Sequence, residues 1–266
     1  MNMPFKLALL QMRVEPGDSH RNIRHALELI AQAATDGATL VLLPEALPFG
    51  WMDPSANLHA EALTGKAFEQ FRTAARDRQL YLCTGLVERA GDHIFNSAVF
   101  FDLEGNLLLR HRKIHELAIA HDCYALGDRL GVVDTPLGRI GLMICADGFA
   151  PGQAISRTLA LMGAQIILSP CAWAAPPHHD NTREPYGKLW LDNYRAVTRD
   201  FSIWIAGCSN VGPIRSGPWA GHKCIGCSLV VGPNATIQAQ GRYGEDAEEI
   251  IYIDVALAPF SRTAAS

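Results

Sequence analysis

The chain has 266 residues, of which 48% are hydrophobic and 19% charged, and its formal net charge is −4. These values suit one large hydrophobic core and exclude the basic surface of a nucleic-acid-binding protein. No apolar stretch is long enough for a transmembrane helix, and no signal-peptide pattern precedes the first predicted strand. We therefore expect a cytoplasmic protein with one domain over residues 1–266.

The first part of the chain alternates predicted strands and helices. Asp18 and Ser19 are placed to cap a helix with apolar positions on one face, and a continuous apolar strand follows it. This strand–helix–strand order favours parallel pairing with a right-handed crossover. We predict strands over 5–12, 39–43, 80–86, 94–101 and 107–112, and helices over 20–34 and 65–78.

The second part contains more strand pairs. We predict strands over 132–135, 139–144, 166–169, 203–208, 227–231, 236–240 and 250–255, helices over 149–162 and 186–200, and an irregular segment over 170–185. No repeat or linker interrupts this order. Alternating elements followed by strand pairs predict a layered α/β domain with a mixed sheet or two sheets.

Cys145 ends an apolar stretch, and Ala146, Asp147 and Gly148 follow it. A buried strand that ends at a thiol and turns into a helix can present a nucleophile. The unpaired N–H groups and positive dipole end of the helix predicted over 149–162 favour the thiolate. The alternative is a buried cysteine that only packs at a strand end.

Glu45 and Lys113 also follow predicted strands. Sites in open α/β sheets form at the carboxyl ends of strands. A carboxylate, an ammonium and the thiol of Cys145 together make a nucleophilic site without histidine, in which the carboxylate takes the thiol proton and the ammonium stabilises an oxyanion. Taken singly, Glu45 could be a solvated loop acid and Lys113 part of an exposed basic cluster.

The chain resembles the nitrilase, or carbon–nitrogen hydrolase, superfamily over nearly its whole length. The resemblance is carried by Leu43-Pro44-Glu45, by 96–98 with Arg112-Lys113-Ile114-His115, by 141–147, and by blocks at 163–170, 209–212 and 226–228. It implies a four-layer αββα sandwich, a Glu–Lys–Cys triad, and hydrolysis of a non-peptide carbon–nitrogen bond without a metal or another cofactor. It also implies association through helices, so we expect a homodimer or larger assembly with helices 149–162 and 186–200 at the interface.

The resemblance also implies a role for each residue. Glu45 is the general base and later the general acid, Cys145 forms a thioester, and Lys113 holds the oxyanion together with the backbone N–H of Ala146. The pair Ala146-Asp147 after the cysteine favours amides or N-carbamoyl compounds over nitriles. We predict a hydrolase of such small molecules that releases ammonia or an amine and a carboxylic acid, with a nitrile-hydrolysing member as the alternative.

One part of the family pattern is not clearly filled. Many members carry a second glutamate between the lysine and the cysteine, at a position counted back from Gly127. Asp122 is the nearest candidate for a substrate-binding acid and Glu116 is the other, and either could be a surface acid. A catalytically silent member that binds a small molecule or acts as a scaffold therefore stays an alternative.

Two features after the strand at 166–169 are candidates for substrate contact. Trp173 matches a position that often lines the family's pocket, with a core tryptophan as the alternative. The polar segment 176–183 is a candidate lid or pocket rim, in which Arg183 could pair with a substrate carboxylate. The alternative is a solvated loop.

The cysteines and histidines allow two other sites. His222, Cys224 and Cys227 include a Cys-x-x-Cys spacing, but a structural zinc site needs four ligands and the sequence has no second cluster. A Cys–His hydrolase is the other possibility, although no sequence block around Cys145 supports it. Seven cysteines, mostly within apolar runs, favour reduced thiols over a disulfide framework.

Overall fold

Two six-stranded sheets pack against each other in residues 3–258, the part of the chain that the computed structural model describes. The first half contains β1 (Phe5–Gln11), α1 (Ser19–Thr35), β2 (Leu40–Leu42), α2 (Ala56–His59), α3 (Lys66–Arg78), β3 (Tyr81–Ala90), β4 (His93–Phe101) and β5 (Leu107–Arg112). The second half contains β6 (Val132–Thr135), β7 (Gly138–Leu142), α4 (Ala154–Leu161), β8 (Ile166–Cys171), β9 (Ala174–Ala175), α5 (Lys188–Phe201), β10 (Trp204–Ser209), β11 (Val211–Pro213), β12 (Lys223–Ile225), β13 (Leu229–Gly232), β14 (Thr236–Gln240) and β15 (Glu249–Val255). The predicted single domain over 1–266 stays a prediction.

The two large sheets have similar arrangements. The first has the strand order β15-β1-β2-β3-β4-β5 and the second β14-β13-β10-β8-β7-β6. Each has three parallel strands at its centre, β1-β2-β3 and β7-β8-β10, and antiparallel strands outside them. Leu7 pairs with Leu40 in parallel, as the strand–helix–strand pattern at the start of the chain predicts.

Alternate residues of the first sheet enter two different cores. Leu7 and Leu9 of β1 pack between the two sheets, whereas Ala8 and Leu10 pack against α1 and α3. On the other side, α4 and α5 cover the second sheet, where Tyr194 of α5 belongs to the core between sheet and helix. Burying a leucine side chain contributes about 1.5–3 kcal/mol, so both faces of each sheet need a covering layer. The predicted four-layer αββα sandwich is confirmed.

The helix predicted over 149–162 is shorter in the structure. Two short 3-10 turns, Cys145–Phe149 and Pro151–Gln153, come first, and the α-helix begins only at Ala154. Pro151 lacks a backbone N–H, and Gly152 has φ of +66°, which ends a right-handed helix. The prediction of one continuous helix over 149–162 is therefore wrong over its first five residues.

A small third sheet was not predicted. Strands β11, β12 and β9 form it in that order, and each has only two or three residues. Part of it lies in the segment 170–185 that the sequence pattern described as irregular. Within the described residues, none of the helices is long and apolar enough to cross a membrane.

Candidate active site

Cys145 lies just beyond the end of β7 in a strained turn. Its φ is +44°, a left-handed conformation that is uncommon for a residue other than glycine. Two hydrogen bonds fix the turn: the Cys145 N–H donates to Ser169 Oγ at 3.1 Å, and the Ile144 N–H donates to Asp147 Oδ2 at 2.9 Å. A strained conformation of this kind persists only where its surroundings hold it, and it is frequent at functional sites.

Glu45 and Lys113 reach the same place from the first sheet. Lys113 Nζ donates to Glu45 Oε1 at 2.7 Å, and both side chains are inaccessible to solvent. Gly85 of β3 allows the backbone of Glu45 to come close, because a Cβ at position 85 would lie 2.6 Å from the Glu45 Cα. The Glu45 N–H donates to the carbonyl of Cys171 in β8 at 3.2 Å, which ties this loop to the second sheet.

A second carboxylate, that of Glu116, completes the cluster. Its Oε2 is 3.0 Å from Lys113 Nζ. The side-chain amide of Asn96 donates to Glu45 Oε1 at 2.6 Å and to Glu116 Oε1 at 3.0 Å, and so joins the two acids. The structure therefore brings together four buried polar side chains. Sequence reasoning had considered three of them as site residues, and the fourth is Asn96.

Asp122 lies elsewhere. It is exposed in the turn that follows a short 3-10 helix, Ala118–Ala120, and it does not line the cavity beside Cys145. The structure thus corrects its assignment to the substrate-binding residues: of the two acids considered for the second carboxylate, Glu116 contacts Lys113. Ala120 and Tyr124 on either side of this turn are buried, and Asp122 between them faces the solvent.

Burial and charge set the protonation of the cluster. Burial lowers the pKa of Lys113, but the charges of Glu45 and Glu116 outweigh it and hold that pKa well above its ordinary value. Burial raises the pKa of Glu116, and the attraction of Lys113 only partly opposes this. Burial, a contact with Cys171 and the charge of Glu45 raise the pKa of the Cys145 thiol, so the resting thiol keeps its proton at neutral pH.

Asp147 joins the loop after β5 to the turn after β7. Its Oδ1 accepts the N–H groups of Ile114 at 3.1 Å and His115 at 2.8 Å, directly after Lys113. Its Oδ2 accepts the Ile144 N–H and lies 2.7 Å from His111 Nε2. Burial raises the pKa of Asp147, but these hydrogen bonds outweigh it and lower that pKa below its ordinary value. Sequence reasoning connected Asp147 with substrate choice, whereas the structure gives its carboxylate to the backbone.

A cavity of about 50 Å³ opens beside Cys145 and Lys113. Ala146 and Trp173, both predicted at the substrate site, line it. Trp173 is also a core residue, fully buried and stacked on Trp190 with 4.8 Å between ring centroids, and its contact with a substrate stays a prediction. The other lining residues are mostly aromatic or small: Trp51, Leu117, Phe149, Ala172, Ala174, Tyr186, Trp190 and Trp219.

The segment 176–183 supports one wall of this cavity from outside. The ring of His179 meets that of Tyr186, a cavity residue, edge to face at 6.1 Å. Arg183 does not line the cavity; its side chain is 88% exposed and pairs with Asp180 at 3.4 Å. The predicted contact between Arg183 and a substrate carboxylate therefore has no basis in this arrangement.

The histidine and cysteines considered for zinc each have different surroundings. The His222 ring stacks on Trp219 with 4.9 Å between centroids, Cys224 is buried in β12, and Cys227 lies in a turn with φ of +60°. Over residues 3–258 the structure contains no group of three or more His, Cys, Asp or Glu side chains that could hold a metal ion.

Comparison with known proteins identifies the class to which this fold and site belong. The profile of the carbon–nitrogen hydrolases matches residues 6–265, and the chain belongs to that family, as the resemblance to the nitrilase superfamily predicted. It is an enzyme of the carbon–nitrogen hydrolase class.

Its relatives carry more than one name. A chloroplastic omega-amidase of Arabidopsis thaliana is 30% identical over 97% of this chain and 70% of its own length. A nitrilase of Pyrococcus abyssi is 30% identical over 95% of this chain and 90% of its own. The NitN amidase of Nesterenkonia sp. AN1 superposes with a TM-score of 0.80 at 25% identity, covering 95% of this chain and 93% of that one.

Proposed function

We propose that this carbon–nitrogen hydrolase cleaves small linear amides through a thioester on Cys145. The observation that supports it most is the ammonium of Lys113, held between the carboxylates of Glu45 and Glu116 at the wall of the cavity that Cys145 also lines. A protonated thiol beside a buried carboxylate and ammonium has a base and an oxyanion partner at hand.

Glu45 acts as the base in the first step. One of its oxygens, Oε1, accepts hydrogen bonds from Lys113 and Asn96. The other, Oε2, is buried and has no hydrogen-bond partner among the described residues. That oxygen is available to take the proton of the Cys145 thiol, whose raised pKa makes a base necessary.

The thiolate then attacks the amide carbonyl carbon. A carbon–sulfur bond forms, and the carbonyl oxygen becomes an oxyanion. An ammonium has three N–H donors, and Lys113 donates one to Glu45 and forms an ion pair with Glu116, so at least one donor remains for this oxygen. The backbone N–H of Ala146 is the second donor of the oxyanion hole.

The intermediate collapses with loss of the amine. The carbon–nitrogen bond breaks, and Glu45 returns its proton to the leaving nitrogen, so that ammonia or an amine departs. Glu45 next takes a proton from water, and the hydroxide attacks the thioester. The carboxylic acid is released and the Cys145 thiol is reprotonated, which restores the resting site.

Amides are favoured over nitriles because Ala146-Asp147 follows the cysteine and because relatives are named omega-amidase or amidase. The hydrolysis of nitriles is the second candidate function, since one relative is named a nitrilase.

The test is intact mass spectrometry combined with ammonia release. In a glutamate-to-glutamine mutant of the amidase from Nesterenkonia sp. AN1, acrylamide adds to the active-site cysteine, so acrylamide is a suitable probe here. We expect one acrylamide on the wild type and on Cys123→Ser, which removes the half-buried cysteine, and none on Cys145→Ser. We expect a thioester adduct of acyl mass on the wild type when it is quenched with acid during turnover of propionamide, and none on Glu45→Gln, which lacks the base that acylation needs.

Cys145→Ser should lose at least about 10³-fold in turnover of propionamide, because a hydroxyl is a far weaker nucleophile at neutral pH. Full turnover by this variant, or ammonia from nitriles but not from amides, would contradict the proposal. No adduct and no ammonia from any amide, ureido acid or nitrile would support the silent binding or scaffold alternative.

The predicted cytoplasmic location is part of this proposal. All seven cysteines are unpaired, and six of them are buried, which supports a reducing compartment. Fractionation of cells that produce the chain tests it, and recovery in an oxidising compartment would count against it.

A further inference from the structure

The walls of the cavity beside Cys145 are aromatic. Trp51 and Trp219 meet edge to face at 5.1 Å, and Trp190 stacks on Trp173 at 4.8 Å and meets Phe149 at 4.7 Å. These rings form two packed groups, so the wall is largely aromatic and ring contacts hold its shape, although the Nε1 atoms of Trp51 and Trp173 are buried without a partner among the described residues. Such a surface favours an apolar acyl group over a charged one.

The cation of the cavity is already neutralised. Lys113 is the single lysine, arginine or histidine among the lining residues that the structure describes, and Glu45 and Glu116 lie 2.7 Å and 3.0 Å from its Nζ. Arg183, the other candidate for anion binding, stands outside. A substrate carboxylate would therefore lose its water here without gaining a counter-ion.

The cavity is also small. Its volume is about 50 Å³, and the described residues enclose it with large aromatic side chains. The space therefore suits a small ligand. An amide with a short chain is such a ligand.

Building on the proposed amidase function, we infer that the substrate is a short amide with an uncharged acyl group, and that amides ending in a carboxylate are rejected. The aromatic wall selects the apolar chain, the volume limits its length, and the paired Lys113 excludes the anion. The inference concerns the acyl group of the substrate, at the end away from the amide, whereas the proposed function concerns the carbon–nitrogen bond that is cleaved.

The test compares propionamide, butyramide, succinamide and succinamate by ammonia release. Succinamide and succinamate have the same number of non-hydrogen atoms and differ in charge, so their ratio separates charge from size. We expect the highest kcat/KM for propionamide. After correction for the two amides of succinamide, we expect succinamate to be at least 100-fold slower than succinamide, which corresponds to about 2.7 kcal/mol.

A variant of a cavity residue tests whether an added cation allows a substrate carboxylate to bind. Leu117 is half-buried and lines the cavity. Leu117→Arg should raise the kcat/KM ratio of succinamate to succinamide at least 10-fold, and the matched neutral variant Leu117→Gln should leave that ratio within 3-fold of the wild type.

The outcomes separate the two proposals. Equal turnover of succinamate and succinamide would overturn the inference while leaving the amidase function intact. If no amide releases ammonia, the amidase function fails, and calorimetry on Cys145→Ala decides the ligand class. Binding of propionamide but not succinamate would support the inference, whereas binding of succinamate, or of neither, would overturn it.

Discussion

Lys113 carries a charge into a region from which water is excluded, and two acids balance it there. Removing one partner of a buried ion pair typically costs about 3–5 kcal/mol, because the remaining charge is left without compensation. Lys113 has Glu45 at 2.7 Å and Glu116 at 3.0 Å, so the loss of either acid leaves one contact in place. The second acid therefore serves to position the ammonium more than to neutralise it.

Glu116→Gln tests this role. The glutamine keeps the shape of the side chain and an oxygen for Asn96, but it removes one negative charge beside Lys113. We expect kcat for propionamide to fall about 10- to 100-fold, or about 1.4–2.7 kcal/mol. KM should change less than 3-fold, because Glu116 does not line the cavity.

The matched control is Asp122→Asn, which alters the other acid considered from the sequence. Asp122 is exposed and distant from the cavity wall, so kcat should stay within 2-fold of the wild type. A large loss in Asp122→Asn with none in Glu116→Gln would reverse the assignment.

At the scale of single residues, the sequence supplied Glu45, Lys113 and Cys145, because each follows a strand whose apolar pattern is clear. It could not choose Glu116 over Asp122. Both acids are in one loop, and distance along a loop does not tell which side chain turns inward. The only local signal for Glu116 is its spacing of three residues from Lys113.

At the scale of elements, the loop after β5 and the turn after β7 act as one unit. Asp147 accepts backbone N–H groups from both, and it does so with an ionised carboxylate. The position of Lys113 relative to Cys145 thus depends on a side chain that touches neither. The sequence did not predict this link, because it joins residues that are distant along the chain.

Asp147→Asn should loosen this unit. In asparagine an NH₂ group replaces one of the two carboxylate oxygens. In either orientation this donor faces a backbone N–H, that of Ile144 or those of Ile114 and His115, and one buried hydrogen bond is lost. We expect a loss of about 2–4 kcal/mol in the free energy of unfolding, measured by urea denaturation. Turnover per folded molecule should fall with it.

Asp128→Asn is the control for Asp147→Asn. The Asp128 side chain is exposed, and its contact with Arg129 is a surface pair at 3.8 Å. Its substitution should change the free energy of unfolding by less than about 0.5 kcal/mol. An equal effect of both substitutions would contradict the fastening role of Asp147.

The same turn shows why the helix prediction failed at its start. Apolar spacing over 149–162 is compatible with one helix, but Pro151 and Gly152 override it. Cys145 therefore does not have the end of a long helix directly after it, and its burial raises rather than lowers its pKa. In the proposed mechanism, the base Glu45 and not a helix dipole therefore produces the thiolate.

At the scale of the whole molecule, α4 and α5 form one outer layer. Arg157 of α4 pairs with Asp200 of α5 at 2.7 Å, which holds the two helices side by side. Leu161 and Leu189 on this layer are exposed. We propose that this face joins two copies of the chain, in agreement with the homodimer expected from the family resemblance.

Sedimentation velocity at micromolar concentration checks this proposal. The wild type should sediment as a dimer or larger species, and Leu161→Lys with Leu189→Lys should shift it to monomer, because two desolvated charges oppose association. Leu58→Lys, on α2, should leave the assembly unchanged, since Leu58 is exposed on a different helix. A monomeric wild type would contradict the proposal.

The layers of the fold were predictable because their strands carry apolar runs long enough to recognise. The strands β9, β11 and β12 were not, since two or three residues have no periodicity, and only pairing with distant segments makes them strands. Sequence patterns predict strands and helices that have a recognisable apolar face. Very short strands that form only by pairing with distant segments can be recognised only in the folded structure.

The site is shared between the two sheets. Glu45 and Lys113 follow strands of the first sheet, Cys145 follows a strand of the second, and the bond from the Glu45 N–H to the Cys171 carbonyl crosses between them. Neither sheet alone holds Glu45, Lys113 and Cys145 together. In the proposed mechanism, turnover therefore requires that the two sheets have packed against each other, and the return of activity during refolding would report that packing.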